Sequence, residues 1–286
     1  MRVLYIMGAF YLAALFLLWA GRRGKISRKA AALVSLICLL AGSGALAAAV
    51  VPFGNIYGKT VTRLTDLSGD AQIPAPVSGA AGQTGAAASG RYIALTFDDG
   101  PYPPYTNRLL DVLQGKKVKA TFFLVAEQAQ RHPELVKRAV AEGHTVGLHA
   151  FRHRDFLKLT EEERQKELAL GKKVLHDITG KNPVYWRPPH GFRDASVMKL
   201  AGQEHLTVVN WSVAPRDWTG IDKQEIQNRV LAKADAGAIV LLHDGDSPFY
   251  KASRQATVDA VSLLIDSLRE KGYHLVSLEE YMRNSR

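Results

Sequence analysis

The most constraining stretch of the sequence is an apolar run, residues 93–97, that ends in two adjacent carboxylates, Asp98 and Asp99. Gly100 and Pro101 follow at once and end the strand, because proline has no amide hydrogen for a β-ladder. Adjacent side chains inside a strand point to opposite faces, but at a strand end, where the backbone turns, both acids can face one cavity. Two like charges there oppose folding through burial and repulsion. A bound cation and a proton-transfer role would compensate for that cost.

The overall composition is that of a folded protein with no sign of nucleic-acid binding. The chain has 286 residues, 47% of them apolar, which argues for a packed core and one large or two ordinary domains. Its net charge is +10, but residues 1–90 hold eight basic and two acidic residues, so +6 of it lies in the first third. We expect no nucleic-acid partner, and no motif indicates an obligate protein partner. The single cysteine, Cys38, excludes an intrachain disulfide and a cysteine-based zinc site.

Two uncharged apolar runs, residues 3–20 and 30–53, open the chain. Each is about as long as a helix that crosses ~30 Å of hydrocarbon. The five positive charges of residues 21–29 favour a cytoplasmic loop between them. We therefore expect residues 1–53 to form a multi-pass hairpin of two transmembrane helices in the cell membrane, with the rest of the chain extracytoplasmic. Two alternatives stay open: the second run is a signal sequence cleaved near residues 45–47, or the pair is a buried soluble hairpin.

The remaining chain divides into a linker and a catalytic domain. Residues 54–90 are rich in Ala and Gly and predict a flexible linker. In residues 91–286, helical patterns alternate with seven candidate strands: residues 92–97, 120–125, 145–148, 184–186, 206–211, 238–242 and 273–276. Helix starts are marked by capping-box spacings at Thr160–Glu163, Asp222–Glu225 and Ser277–Glu280. Such alternation predicts an α/β fold with a parallel sheet, open or closed into a barrel.

Polar clusters follow four other candidate strands, and in such folds chemistry lies at the carboxyl ends of the strands. In chain order they are His149 with His153, Arg187 with His190, Asp217 with Trp218, and Leu241 with His243. Histidines four residues apart can share a metal, but this spacing alone is weak evidence and also suits surface histidines. A solvated arginine or a core histidine would explain other clusters singly. Five clusters at five strand ends favour one shared site.

These motifs together resemble a known family. Thr-Phe-Asp-Asp-Gly-Pro, His-x-x-x-His, Arg-Pro-Pro-x-Gly, Asp-Trp and Leu-x-His, in this order and spacing, are similar to the five motifs of the polysaccharide deacetylases. These are metal-dependent carbohydrate N- and O-deacetylases related to nodulation chitooligosaccharide deacetylase. The resemblance covers about residues 91–286 and implies a distorted (β/α)7 barrel, in agreement with the seven candidate strands.

By position, the resemblance implies a role for each motif residue. It implies a divalent metal, usually Zn²⁺ but with Co²⁺, Ni²⁺ or Mn²⁺ as alternatives, bound by Asp99, His149 and His153. It also implies a catalytic group: Asp98 as base, Arg187 as the arginine that holds it, His243 as general acid, and Asp217 as the carboxylate that orients His243. The residues implied for the substrate pocket are Trp218, Leu241 and His190.

The chain departs from the family pattern at three positions. Ala150 stands where most members have Ser or Thr, which removes a hydroxyl but no ligand. His190 replaces the usual Tyr, and Ala214 replaces an acid found in many members, so Asp217 is the only carboxylate in that motif. We interpret these changes as variation within the family.

The resulting expectation is a membrane-anchored hydrolase that releases acetate from an N-acetylated glycan, either cell-wall peptidoglycan or a chitin-like oligosaccharide. Two alternatives keep the same fold: a catalytically silent glycan-binding protein and an O-acetyl esterase of a polysaccharide. Two histidines and one carboxylate also suit non-haem iron oxygenases. The second aspartate, the fixed arginine and the distal histidine have no evident role in such an enzyme.

Overall fold

A single parallel sheet forms the centre of the computed structural model, which describes residues 2–51, 55–67, 90–246 and 253–285. The strand order is β5-β4-β3-β2-β1-β6, and β7 pairs with the start of β1. The strands are β1 (Tyr92–Asp98), β2 (Thr121–Val125), β3 (Thr145–Ala150), β4 (Tyr185–Trp186), β5 (Thr207–Val208), β6 (Ile239–His243) and β7 (His274–Leu275). All seven strands occur where the sequence predicts them, which confirms the α/β class.

Helices connect and cover the strands. They are α1 (Arg2–Arg22), α2 (Arg28–Val50), α3 (Tyr105–Gly115), α4 (Ala126–Arg131), α5 (Pro133–Ala141), α6 (Glu161–Thr179), α7 (Ala195–Gln203), α8 (Lys223–Leu231), α9 (Gln255–Glu270) and α10 (Leu278–Asn284). The predicted capping boxes are complete at the starts of α6 and α10. At α8 the Asp222 side chain accepts a hydrogen bond from the Glu225 amide, so the predicted start is correct.

β1 is the strand that positions the polar clusters. Six of its seven residues are buried, as expected for a central strand of a parallel sheet covered on both faces. It pairs with β2 on one side and with β6 on the other, which places Asp98 opposite Phe123 and His243. The carboxyl ends of these strands therefore meet at one edge, and the base and acid candidates lie on adjacent strands.

The sheet is curled, so that the chain after β5, at one end of the strand order, lies close to β6 at the other end. Isolated β-bridges join Val213 to Val240, Val61 to Val209, and Arg63 to Ala238. The first connects the chain beyond β5 directly to β6, and the other two come from residues that precede the catalytic domain. The resulting curled half-barrel is consistent with the expected distorted (β/α)7 barrel.

Part of the predicted linker is folded. Val61, Leu64 and Leu67 are at most 1% exposed, and they pack in one cluster with residues of β1, β2 and β6. The prediction of a flexible linker over 54–90 is therefore wrong for residues 60–67, because apolar side chains spaced three apart fill the gap between β5 and β6. Residues 68–89 of that predicted linker lie outside the described residues.

The predicted N-terminal hairpin is helical. The α1 and α2 helices pack together, with hydrogen bonds from the Ser35 hydroxyl to the Ala14 carbonyl and between the Tyr11 and Ser43 hydroxyls. Over the residues that the structure describes, we find no helix with the length and apolar character needed to cross a bilayer. The predicted membrane crossing is thus not supported.

We expect Leu64→Ala to lower the free energy of unfolding by about 2–5 kcal/mol, because it leaves a cavity at the seam between β5 and β6. Ile56→Ala is the matched control. Its side chain is 77% exposed, so the change should stay within about 0.5 kcal/mol. Chemical unfolding of the full chain in detergent, followed by tryptophan fluorescence, measures both. Equal stability of the two variants would mean that residues 60–67 are a linker after all.

Candidate active site

Both carboxylates that end β1 face one cavity. Asp98 is the last residue of the strand, and Asp99 turns the chain by adopting a left-handed backbone with φ of 74°. Each is only 3% exposed. A β-carbon at Gly100 would overlap the Asp244 carboxylate, so a side chain at this position would displace that carboxylate. The expectation that the strand end directs both acids to one site is confirmed.

The cavity has a volume of about 260 Å³. Eight of the ten predicted site residues line it, and the other two, Arg187 and Asp217, are buried. Trp211 and Arg216 also line the cavity, although the sequence did not single them out as site residues. The five strand ends therefore build one site rather than five separate surface features.

Three potential ligand atoms converge beside Asp99. Its Oδ1 lies 3.4 Å from His149 Nε2 and 3.3 Å from His153 Nε2. His149 Nδ1 lies 2.7 Å from the Arg187 carbonyl oxygen. Because a carbonyl only accepts, Nδ1 carries a hydrogen, and this bond turns Nε2 towards Asp99. This second hydrogen bond orients His149 as a ligand.

The protonation states of this cluster suit a cation. Burial raises the pKa of Asp99, but the neighbouring side chains of His149, His153 and His243 together lower it well below its ordinary value. Burial lowers the pKa of His153 to about 4, so its ring is neutral at pH 7. Asp99 Oδ1 is buried without a hydrogen-bond partner. An ionised carboxylate and two imidazole nitrogens around such an atom fit a divalent metal.

Arg187 is fully buried and holds Asp98. Its Nη1 donates to Asp98 Oδ1 at 2.7 Å and to Thr96 Oγ1 at 2.8 Å. Its remaining nitrogens donate to two backbone carbonyls, Val209 O at 2.9 Å and Asn210 O at 2.7 Å. Burial lowers the pKa of Arg187, and the Asp98 charge opposes that change. A guanidinium stays charged under these conditions, so Asp98 has a fixed cationic partner.

Asp217 holds His243 by direct hydrogen bonds, as Arg187 holds Asp98. Its Oδ1 lies 2.9 Å from His243 Nδ1, and its Oδ2 accepts from the His243 amide and from the Thr257 hydroxyl. Burial lowers the pKa of His243, but the Asp217 charge and hydrogen bond outweigh it and raise the pKa to about 9. The His243 ring is therefore cationic at pH 7 and can donate a proton.

The cavity wall contains strained backbone. Asp99, His190 and Arg216 all have positive φ, and all three line the cavity. Non-glycine residues rarely adopt this conformation, and such strain clusters at functional sites. The His190 ring meets that of His153 edge-on, with 4.7 Å between centroids, and Trp218 meets His243 in the same way at 5.0 Å.

Several residues that support the site were missed by the sequence reasoning. Thr96 lies two positions before Asp98 and therefore on the same face of β1, which is a signal that could have found it. Thr257 lies on α9, forty residues from Asp217, and no local pattern marks it. Asp244 follows His243, and burial raises its pKa to about 7. It accepts a hydrogen bond from the Thr106 hydroxyl at 2.6 Å.

Comparison with known proteins identifies the family. Residues 85–209 match the family model described as polysaccharide deacetylase. The chain is 37% identical over 195 residues to a peptidoglycan-N-acetylglucosamine deacetylase of Bacillus cereus, a match that covers 68% of this chain and 89% of that protein. This chain belongs to the polysaccharide deacetylase family. It is accordingly a hydrolase that removes acetyl groups from glycan nitrogen atoms.

Two further similarities cover the same region. The chain is 37% identical over 197 residues to the chitooligosaccharide deacetylase of a Bradyrhizobium species, covering 66% of this chain and 90% of that protein. A crystal structure of a peptidoglycan N-acetylglucosamine deacetylase in complex with a naphthalenyl N-oxidanyl-benzamide superposes with a TM-score of 0.63 at 34% identity. That superposition covers 66% of this chain and 87% of the other. The resemblance seen in the sequence motifs is thus confirmed.

Asp217→Asn should lower the pKa of His243, because the Asp217 charge is the main influence that raises it. The protonated ring is present below its pKa and is lost as the pH rises through it, so the alkaline limb of kcat/KM should move to lower pH. The control is Asp177→Asn, whose carboxylate pairs with Lys173 on the surface of α6. Acetate release by each variant across pH measures the shift. If kcat/KM falls but its alkaline limb stays at the same pH, that limb reports the titration of a group other than His243.

Proposed function

We propose that this polysaccharide deacetylase is a metal-dependent N-deacetylase of peptidoglycan or of a chitin-like oligosaccharide. The observation that carries the proposal is the content of one cavity. It contains three convergent ligand atoms, a carboxylate held by a buried arginine, and a cationic histidine. Peptidoglycan and chitooligosaccharide are the substrates named for the relatives. Both polymers present the N-acetyl group that this chemistry requires.

The metal would be held by Asp99, His149 and His153, and the carboxylate-imidazole set fits Zn²⁺ best, with Co²⁺, Ni²⁺ or Mn²⁺ as alternatives. When bound, such a metal supplies a water of lowered pKa and polarises the acetyl carbonyl. The chain itself keeps Asp99 ionised and His153 neutral, as described above. The hydrogen bond from His149 to the Arg187 carbonyl fixes which imidazole nitrogen faces the metal.

Asp98 would act as the general base. Its carboxylate lines the cavity, and its ion pair with Arg187 fixes its position. It would take the proton of the attacking water. The backbone amide at His190 is the proposed donor to the oxygen of the acetyl carbonyl, where negative charge develops.

His243 would act as the general acid. The departing amine must gain a proton, and the His243 ring carries one because Asp217 raises its pKa. Leu241 and Trp218 line the same cavity and would enclose the acetyl methyl group. A longer acyl chain should therefore be a poor substrate.

The purified chain should release acetate from acetylated chitooligosaccharide or peptidoglycan, and a chelator should abolish this release until divalent metal is restored. Asp98→Asn should lower kcat by about 10²–10⁴-fold, the usual contribution of a general base. It should leave metal binding intact, which calorimetric titration with Zn²⁺ measures. His149→Ala is the converse control, since it should weaken metal binding itself.

Each alternative gives a different result in that assay. Acetate from acetylxylan alone would identify an O-acetyl esterase. Glycan binding without acetate release under any divalent metal would identify a catalytically silent binding protein. An Asp98→Asn variant that remains fully active would show that Asp98 is not the base.

We also propose that the N-terminal hairpin anchors the enzyme at a membrane, with the catalytic domain on the extracytoplasmic side. The proposal is supported by apolar side chains on the outer surface of both helices, including Leu15 at 63% and Leu36 at 52% exposure. Apolar surface of this kind requires a covering partner. The basic residues 21–29 suit the anionic headgroups of a lipid surface.

In a flotation assay with phosphatidylglycerol-containing vesicles, the full chain should rise with the lipid. Replacing Leu15 and Leu36 together by Asp should reduce the floating fraction several-fold, because charges on the apolar face oppose insertion. Leu170→Asp on α6, at a side chain 36% exposed, is the control and should float like the unaltered chain. A chain that stays at the bottom of the gradient would exclude the anchor.

A further inference from the structure

One buried arginine outside the predicted motifs, Arg193, joins the hairpin end to the active-site loop. The residue is only 2% exposed. Its amide donates to Ala49 O at 2.9 Å and its Nη1 to Val51 O at 2.7 Å. Its Nε donates to Thr60 Oγ1 at 3.0 Å and its Nη1 also to Gly191 O at 3.2 Å. Three of these four acceptors precede the catalytic domain.

The fourth acceptor, Gly191, belongs to the loop that shapes the cavity. His190 and Gly191 adopt left-handed backbone in succession, with φ of 61° and 68°. A β-carbon at Gly191 would lie 2.8 Å from the Trp211 ring, so the loop passes close to the cavity wall. The carbonyl of Gly191 also accepts from Asn210 Nδ2 at 3.2 Å. Two buried donors therefore fix the residue directly after His190.

The same N-terminal segment also contacts the stretch after β5 whose carbonyls hold Arg187. Val61 O accepts from the Asn210 amide at 2.7 Å. The Asn210 carbonyl in turn accepts from Arg187 at 2.7 Å. Residues 60 and 61 thus support both the His190 loop, through Arg193, and the backbone that holds Arg187.

We propose that Arg193 is a positioning residue that orients the His190 loop for the reaction, and that Thr60 completes this support from outside the catalytic domain. The inference rests on the proposed function, because the expected effect of Arg193 is on the rate at which the acetyl group is hydrolysed. A loop that carries a transition-state donor must be held closely, since a displacement of about 1 Å can cost about 10²-fold in rate. The loss should therefore fall on kcat rather than on KM.

The test uses a matched pair at Thr60 in the full chain. Thr60→Val keeps the shape but removes the acceptor for Arg193 Nε, and we expect kcat to fall about tenfold with KM changed less than about twofold. Thr60→Ser keeps the hydroxyl and should retain nearly all of kcat. Arg193→Met should lower kcat by about 10²-fold, and Arg193→Lys, which retains a donor, should lose less.

Arg164→Met controls for a purely structural role. Arg164 is another buried arginine, paired with Asp194, so its loss should lower the thermal midpoint while kcat per folded molecule stays within about twofold. The inference is overturned if Thr60→Val and Thr60→Ser behave alike. It is equally overturned if Arg193→Met loses only stability, as Arg164→Met does. An unaltered chain that releases no acetate from any glycan would instead refute the proposed function.

Discussion

The buried ion pair between Arg187 and Asp98 is the interaction on which the site depends. Removing one member of such a pair leaves an uncompensated charge and typically costs 3–5 kcal/mol. The pair also links two strands that are not neighbours in the sheet, since Asp98 ends β1 and Arg187 follows β4. The Arg187 carbonyl is the acceptor for His149. The backbone of the residue that holds the base therefore also orients a metal ligand, which ties the two halves of the site together.

Electrostatics explains why adjacent acids at the end of β1 are tolerated. Two neighbouring carboxylates repel each other, which disfavours the ionised form of one of them. Here Asp98 has an arginine partner, whereas Asp99 faces two imidazoles and has a buried oxygen without a hydrogen-bond partner. The positive φ of Asp99 separates the two environments by turning the chain at that residue. Different partners thus give neighbouring, chemically identical groups different roles.

Local patterns predicted most of this architecture, and the failures share one physical cause. The strands were found because apolar runs ended at Gly, Pro or charged residues, as after Asp98. Thr257 was missed because its link to Asp217 joins residues distant in the chain. Leu64 was missed because its segment leads into a stretch rich in Gly and Ala, and only the tertiary gap between β5 and β6 gives it a place to pack. Contacts that depend on how the sheet closes leave little trace in sequence.

The sheet does not close with a regular ladder between β5 and β6, and this explains why two backbone carbonyls are available to accept hydrogen bonds from Arg187. Continuing the β4–β5 hydrogen-bond ladder would bring the nitrogen of Pro188 to the carbonyl of Val209, but proline has no amide hydrogen to donate. On the other side of the chain, the amide of Arg63 donates to Asp66 instead of continuing a ladder towards Asn210. Both carbonyls are therefore left for the guanidinium, which binds them. A regular strand at this seam would compete for the same oxygens, so the irregular seam is what allows a buried arginine to hold the base.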